Sequence, residues 1–279
     1  MPELPEVETM VRELAAKTQA WRISEVLVHY APIVASAWES FSSWLVGQDI
    51  EAVTRIGKWI LFSLTEDRHL LIHLKMTGQF HFDVWPEELG GWPPHCHAAF
   101  RLINHAQEPL ERTLYYKDTR KFGRLRAFGP GQLNPFLASL NLGPDALIAT
   151  AQEYRQRLTQ APGSLKAALL DQTVLAGFGN IYADETLIAA HLSPFRKAKT
   201  LTIDEATALH TQAQRILNHA IECRGSTVAN YQAPEGAGSY QNHHLAYGKA
   251  GQPCPFCGRA LNKIKVNGRG TVYCPFCQK

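Results

Sequence analysis

Cys254-Pro-Phe-Cys257 and Cys274-Pro-Phe-Cys277 repeat one C-x2-C pattern near the end of the chain, with sixteen residues between the pairs. Each pair can direct two thiolates from a tight turn to one tetrahedral Zn2+ ion. Four sulfur ligands leave no position for a water molecule. We therefore expect one structural zinc, which holds a hairpin that is too small to fold around its own core. The alternative is a zinc ribbon that serves only to stabilise the chain.

Basic charge is concentrated in this ribbon and in one other segment. Residues 236–279 hold 6 Lys or Arg and no Asp or Glu, whereas residues 1–100 hold 7 basic and 13 acidic residues. The ribbon places Lys263, Lys265 and Arg269 at a hairpin tip. The second cluster mixes cations with aromatic residues: Arg112, Tyr115, Tyr116, Lys117, Arg120, Lys121, Phe122, Arg124 and Arg126. Such patches favour binding of a nucleic acid, whose phosphates pair with the cations and whose bases stack on the aromatic rings. For either cluster alone, the alternative is a basic surface that only contacts solvent.

The segment before the ribbon is predicted to be helical. Apolar spacing predicts helices over 165–171, 181–190 and 204–223, followed by a loop over 225–251. Within Gly177-Phe-Gly-Asn180, two glycines permit a tight turn, and Asn180 is predicted to cap the helix that begins at Ile181. Exposed amides at a helix N-terminus favour an anion such as a DNA phosphate, although any helical hairpin can use the same sequence.

Residues 2–128 predict one amphipathic N-terminal helix followed by strands. Short β-branched and aromatic segments predict strands over 50–56, 58–64, 69–74, 98–103 and 113–116, which favours a β-sandwich or barrel. Cys96 and Cys223 are expected to be ordinary buried thiols. An acidic first segment and the lack of a long apolar run argue against a signal peptide or a membrane span, so we expect a cytoplasmic protein.

The first residues offer a nucleophile. If Met1 is removed, Pro2 carries a secondary α-amine, which titrates roughly 2.5 units below a lysine. Attack of this amine on a sugar anomeric carbon would give an iminium, as in Schiff-base catalysis. The adjacent carboxyl of Glu3 could exchange protons during the reaction. The alternative is that Pro2 and Pro5 only begin a helix.

Together these motifs resemble the formamidopyrimidine-DNA glycosylases. The matching segments run from residue 2 to 279: Pro2 to Thr9, Arg55 to Lys58, His73 to Gly78, Asp118 to Gly123, Gly177 to Glu185 and the terminal ribbon. Leu4 favours the purine-lesion branch, because the related endonuclease VIII branch usually has Gly there. The implied α+β fold has an N-terminal helix and β-sandwich domain (2–130), a linker (131–149), a helix-two-turn-helix domain with a lesion-capping loop (150–235) and a zinc-finger β-hairpin (236–279).

The resemblance implies a base-excision repair glycosylase with lyase activity. Its substrate would be double-stranded DNA with 8-oxoguanine, formamidopyrimidines or abasic sites, and the strand would be cut by β,δ-elimination. By motif match, Pro2 would form the Schiff base and Glu3 would donate the proton. Lys58 would act in β-elimination and phosphate binding, and Arg269 in phosphate binding and δ-elimination. The resemblance implies a monomer that, in a prokaryote, would associate with the nucleoid.

The remaining implied residues contact DNA. Asn180 would hold the backbone, with further contacts from His95, Arg120, Lys121 and Lys166. Met76, Arg120 and Phe122 would fill the space that a flipped-out base leaves. Thr119, Lys121 and Lys75 depart from the commonest family pattern, which leaves lesion preference open. An oxidised-pyrimidine glycosylase like endonuclease VIII and a non-catalytic zinc-ribbon DNA-binding protein are the alternatives.

Overall fold

The computed structural model describes residues 1–36, 38–107, 109–228 and 231–279. The chain divides into two compact units. Unit 1 comprises Met1–Pro2, Glu6–Leu140 and Ser226–Gly238, and unit 2 comprises Glu3–Pro5, Asn141–Gly225 and Ser239–Lys279. In these described ranges, none of the helices has both the length and the apolar character that crossing a bilayer requires.

Unit 1 is built around two four-stranded antiparallel sheets, with strand orders β1-β6-β7-β5 and β2-β3-β4-β8. Helix α1 begins in unit 2 and continues into unit 1. The elements are α1 (Leu4–Thr18), β1 (Arg22–Val28), α2 (Trp38–Leu45), β2 (Ile50–Ile56), β3 (Trp59–Leu64), β4 (Arg68–His73), β5 (Gly78–Asp83), β6 (Cys96–Ile103), β7 (Glu111–Asp118), β8 (Arg124–Phe128) and α3 (Leu133–Ser139).

The two sheets of unit 1 share one apolar core. Phe62 of β3 and Phe80 of β5 belong to different sheets, yet their ring centroids lie 6.4 Å apart. Val7, Met10 and Leu14 of α1 are fully buried in the same cluster. The predicted β-sandwich with an N-terminal helix is therefore confirmed. Gly57 and Lys58 form the turn between β2 and β3, where Gly57 has a φ of 57°.

Unit 2 is helical and ends in a hairpin. Its elements are α4 (Ala151–Gln160), α5 (Leu165–Leu170), α6 (Asn180–Ala189), α7 (Ile203–Glu222), β9 (Asn262–Val266) and β10 (Arg269–Tyr273), with 3-10 turns at Ala198–Thr200 and Tyr240–His243. Helices α4 and α7 begin at capping boxes on Thr150 and Thr202. Helix α6 is buried from Ile181 to Ala189 and forms the centre of the unit.

The helix predictions differ from the structure in two respects. Helix α6 begins at Asn180 with Gly179 as its N-cap, so the prediction that Asn180 caps the helix is wrong. Helices α2, α3 and α4 were not predicted, and α3 lies within the segment expected to be a linker. Ala229 and Asn230 of the predicted lesion-capping loop lie outside the described residues.

Candidate active site and metal centre

Glu3 caps the most buried helix of unit 2. One oxygen of its carboxylate accepts the N–H of Ile181 at 2.9 Å, and the other accepts those of Gly179 at 2.9 Å and Tyr182 at 3.2 Å. A Cβ added to Gly179 would lie 2.3 Å from Glu3 Cδ, so only glycine leaves room for the carboxylate. The amides that were predicted to bind a DNA phosphate donate instead to the Glu3 carboxylate, so a phosphate is not needed to explain them. Pro2, directly before Glu3, is also buried.

Lys166 and Asp184 form a buried ion pair that holds the start of β10. The Lys166 ammonium donates to Asp184 Oδ1 at 2.6 Å, to the Thr271 hydroxyl at 2.7 Å and to the Gly270 carbonyl at 3.2 Å. The second Asp184 oxygen accepts the N–H of Val272 at 3.1 Å. Burial raises the pKa of Asp184 to about 6, although the Lys166 ammonium and the Val272 N–H oppose the shift.

These contacts fix Arg269, the first residue of β10. Asn180 adds a hydrogen bond from its side-chain amide to the Gly270 carbonyl at 2.9 Å. Arg269 itself is exposed, whereas Lys166 is completely buried and uses its three N–H donors inside unit 2. The DNA contact that the resemblance implies for Lys166 stays a prediction. The hydrogen bonds of Lys166 within the protein support a different role, which is to position Arg269.

Replacing Lys166 with Met is expected to lower the free energy of unfolding by about 3 to 5 kcal/mol, because it leaves the Asp184 carboxylate buried without its partner. Urea unfolding of the full chain measures the loss. The double variant Lys166→Met with Asp184→Leu should recover part of it. Lys199→Met removes an exposed lysine of the same unit and should cost little. A wild-type stability for Lys166→Met would contradict the role of the pair.

The four predicted zinc ligands come together at the base of the β9–β10 hairpin. Their sulfur atoms all lie within 4.8 Å of one another, with 3.9 Å between Cys254 and Cys277 and 3.6 Å between Cys257 and Cys274. Zn–S bonds of about 2.3 Å in a tetrahedron require sulfur separations of about 3.8 Å. The Cys277 N–H also donates to the Cys274 sulfur at 3.3 Å, which favours a thiolate. The donor set therefore fits one structural zinc, as predicted.

The turn that carries Lys58 is held by Arg55. The Arg55 guanidinium donates to the Gly57 carbonyl and to Glu8 of α1, both at 2.9 Å. Burial alone would raise the pKa of Glu8, but hydrogen bonds from Arg55 and Arg12 outweigh it and lower the pKa. Lys58 is only 6% exposed. Because Lys58 belongs to a turn that a charged hydrogen bond fixes, its backbone has a defined position in unit 1.

Met76 lies at the tip of the β4–β5 turn and is 38% exposed. The preceding residue, Lys75, adopts a φ of 52°, and its N–H donates to His73 Nδ1 at 2.9 Å. Burial, together with the positive charges of Lys75 and Lys58, lowers the pKa of His73 to about 3. The neutral ring can therefore accept this hydrogen bond at ordinary pH, and it stabilises the turn that exposes Met76.

Arg120 and Phe122 lie in the neighbouring β7–β8 turn. Phe122 is 48% exposed, and the Arg120 guanidinium lies 4.8 Å from the centre of its ring. The Arg120 N–H donates to the Thr77 hydroxyl at 3.0 Å, which joins this turn to the one that carries Met76. The structure thus brings together the three residues predicted to fill the space of a flipped base.

Asp118, at the end of β7, organises both turns and is completely buried. One oxygen accepts hydrogen bonds from the Thr77 hydroxyl and, at 3.2 Å, from the Arg120 N–H. The other accepts the N–H of Gly123 at 2.7 Å. Asp118 was part of a recognised motif, but nothing in the local sequence indicated that it serves two turns.

Replacing Asp118 with Asn is expected to reduce the free energy of unfolding by about 1 to 3 kcal/mol for each donor left without an acceptor. The reason is that an amide NH2 group would face a backbone N–H inside the protein. Urea unfolding checks the prediction. Asp83→Asn is the matched control, because Asp83 is exposed and accepts the N–H of its neighbour Val84 instead of joining two turns. Equal stability of the two variants would contradict the role given to Asp118.

His95 and Lys121 line one cavity of about 300 Å³ in unit 1, together with Tyr30 and Trp92. Both residues have positive φ angles, 65° for His95 and 58° for Lys121. The Lys121 ammonium lies 4.3 Å from the centre of the Tyr30 ring. Burial raises the pKa of the adjacent Cys96 thiol to about 11, which agrees with an ordinary buried cysteine.

Sequence models of three domains match the chain. They are described as the formamidopyrimidine-DNA glycosylase N-terminal domain (residues 1–125), the formamidopyrimidine-DNA glycosylase H2TH domain (142–232) and the zinc finger found in FPG and IleRS (251–279). The formamidopyrimidine-DNA glycosylase of Streptococcus pneumoniae is 39% identical over 282 residues, which cover 100% of this chain and 99% of that protein. The formamidopyrimidine-DNA glycosylase of Lactococcus lactis is 35% identical over 281 residues, which cover 100% of this chain and 100% of that protein.

Solved structures agree with these relatives. The crystal structure of a Lactococcus lactis FPG variant in complex with Fapy-dG-containing DNA superposes with a TM-score of 0.89 at 33% identity, and 100% of each chain is covered. A complex of Lactococcus lactis Fpg with DNA that contains an abasic site gives the same TM-score over 99% of each chain. The α+β fold predicted from the sequence is thereby confirmed along the whole chain. The chain belongs to the formamidopyrimidine-DNA glycosylase family.

Proposed function

We propose that the protein excises oxidised purines, such as 8-oxoguanine and ring-opened formamidopyrimidines, from double-stranded DNA and then cuts the strand. Family membership makes it a DNA glycosylase of base-excision repair. The observation that carries the choice of lesion is the full-length similarity to an enzyme whose structure holds Fapy-dG-containing DNA. The Pro2-Glu3-Leu4 sequence supports the same branch.

Pro2 is the proposed nucleophile. Its neutral amine forms a bond to C1′ of the damaged nucleotide, and the C1′–N bond to the base breaks with protonation of the leaving base. Opening of the sugar ring, with a proton from Glu3 to O4′, leaves an iminium on the Pro2 nitrogen. Loss of a C2′ proton then expels the 3′-phosphate, and a second elimination expels the 5′-phosphate. Lys58 and Arg269 assist these eliminations.

Glu3 is suited to a positioned proton transfer because its carboxylate is fixed. The three N–H donors at the start of α6 set the orientation of this group, and Glu3 is only 2% exposed. A carboxyl group held by the fold needs no reorganisation when the sugar binds. This geometry supports a fixed position for Glu3 in the proton transfers of the proposed mechanism.

Base flipping explains the exposed residues of unit 1. A glycosylase must extrude its target base, which costs a few kcal/mol of stacking and leaves a hole in the duplex. Exposed Met76 and Phe122, with Arg120 against the Phe122 ring, provide an apolar and cationic wedge. Met76 and Phe122 would be unusual as core residues at these exposures. The wedge role is thus the better explanation of the two turns.

The backbone of DNA is proposed to bind basic and polar groups of both units. Arg269 and Asn180 would contact phosphates from unit 2, and His95, Arg120 and Lys121 would contact DNA from unit 1. Zinc supplies no chemistry, because four thiolates close its coordination, and it holds the hairpin that carries Arg269. We also propose that the enzyme acts as a monomer in the cytoplasm, at the nucleoid.

An incision panel tests the proposed substrate. Duplexes with one 8-oxoguanine or one thymine glycol, otherwise identical, are incubated with the purified full chain. We expect faster incision at 8-oxoguanine. Faster incision at thymine glycol would instead assign an activity like that of endonuclease VIII. Binding of both duplexes with no incision and no borohydride-trapped adduct would leave only a DNA-binding protein.

A further inference from the structure

A second cluster of metal-binding side chains lies at the end of α7, outside the zinc ribbon. It consists of His219, Cys223 and His243, whose ligand atoms all lie within 4.8 Å of one another. His219 and Cys223 are four residues apart at the C-terminus of the helix, so they share one face. The sequence predicted Cys223 to be an ordinary buried thiol, whereas the structure places it half-buried beside two imidazoles.

Backbone hydrogen bonds fix the third ligand. The 3-10 turn Tyr240–His243 is joined to the end of α7 through the Ser239 N–H, which donates to the Cys223 carbonyl at 2.8 Å. The Tyr240 N–H donates to the Gly225 carbonyl at 3.0 Å. The rings of His219 and His243 lie 4.7 Å apart, and buried Tyr240 packs against both. The three ligands therefore meet because two separate chain segments are held together.

The chemistry of the cluster suits a borderline-soft divalent cation. Two imidazole nitrogens and one thiolate are ligands that Zn2+ accepts, with bonds of about 2.0 to 2.3 Å. A tetrahedral site needs ligand separations of about 3.3 to 3.8 Å. From separations of at most 4.8 Å, the ligand atoms need to approach one another by no more than about 1.5 Å. His243 is exposed and can supply this movement. The helix C-terminus adds a negative dipole end, which favours a cation.

We propose that His219, Cys223 and His243 bind one Zn2+ or similar transition-metal ion, with a fourth position open to water. Binding releases the Cys223 thiol proton to solvent. The ion joins the end of α7 to the 3-10 turn Tyr240–His243. The chain leaves unit 2 just after α7, at Gly225, and returns just before this turn, at Ser239. It thereby clamps both ends of the segment Ser226–Gly238.

Cobalt titration of the zinc-loaded full chain tests this site. Co2+ is added after the ribbon has been filled with zinc, and metal content is measured by mass spectrometry after gel filtration. We expect one bound Co2+ beside one Zn2+, with a thiolate-to-cobalt absorption band. The Cys223→Ser variant should lose the band, and His243→Ala should bind Co2+ at least roughly tenfold more weakly. Exposed His243 can be replaced without disturbing the core.

Two matched variants control for general effects. Asn242→Ala changes the exposed neighbour of His243, and Asn218→Ala changes the exposed neighbour of His219, so both should bind Co2+ like the wild type. Urea unfolding confirms that each variant is folded. The proposal is overturned if the wild type binds only the ribbon ion. It is equally overturned if the second ion persists in Cys223→Ser and His243→Ala, because that ion would then lie elsewhere.

As an independent measurement, added Zn2+ should slow alkylation of Cys223 by iodoacetamide at least roughly tenfold in the wild type. The effect should be much smaller in His243→Ala. Peptide mapping identifies Cys223 as the alkylated residue. Equal alkylation rates with and without Zn2+ would contradict metal binding by this thiol.

Discussion

Replacing Pro2 with Gly is expected to reduce strand cleavage and borohydride trapping by about 100-fold, with DNA affinity unchanged. Glycine retains a primary amine but loses the ring that holds the secondary nitrogen and its lone pair in a fixed direction. A misplacement of about 1 Å at a reacting atom can cost about 100-fold in rate. Single-turnover cleavage of an abasic-site duplex measures the rate, and a gel-shift titration measures Kd.

The matched control for this experiment is Pro5→Ala. Pro5 lies in the first turn of α1, so its replacement tests the alternative that both prolines only begin a helix. We expect trapping at the wild-type level. Mass spectrometry of the wild-type adduct should place the DNA on Pro2, after loss of Met1. Fully active protein that retains Met1 would refute the proposed nucleophile.

Replacing Cys274 with Ala is expected to abolish zinc retention and DNA binding together. Three remaining thiolates hold the ion poorly, and the hairpin has little apolar core of its own. The buried apolar cluster around Cys254 and Cys274 contains two other residues of the hairpin region, Leu261 and Val272. Its remaining buried members, Ile188 and Ala246, lie outside the hairpin. Loss of the hairpin displaces Arg269 from α5 and α6. Metal analysis and a gel-shift titration in the same buffer provide the two readouts.

Cys96→Ala serves as the control for the loss of a thiol. Cys96 is buried in unit 1 and is not grouped with the ribbon sulfurs. Its replacement should leave zinc content and DNA affinity at wild-type values. Normal DNA affinity of a zinc-free Cys274→Ala protein would contradict the proposed role of the ribbon.

Local sequence patterns predicted the elements that have strong periodicity or fixed spacing. The strand over 50–56 agrees in both bounds, and the four ribbon cysteines meet as expected. Strands β1, β5 and β8 were missed because polar residues interrupt their apolar pattern, as Arg124 and Arg126 do in β8. Helix α4 was missed for a similar reason, since only Tyr154 and Leu158 are buried in it.

The candidate site was predictable as a set of residues but not as a set of contacts. Glu3 was recognised from its neighbours in sequence, yet its partner Gly179 lies 176 residues away. The same holds for Lys166, whose contact with Thr271 spans 105 residues. Hydrogen bonds of this range depend on the folded chain, so no local pattern reports them. Asp118 and Asp184 were missed as positioning residues for this reason.

Under the proposed mechanism, the cap that Glu3 places on α6 would couple turnover to the anchorage of this helix. A protonated carboxyl group is a weaker acceptor for the N–H groups of Gly179, Ile181 and Tyr182 than a carboxylate is. Helix α6 also carries Asp184, on which the ribbon depends. If Glu3 passes a proton in each catalytic cycle, as proposed, the anchorage of α6 would change with its protonation, and the hairpin that carries Arg269 is tied to this helix through Asp184.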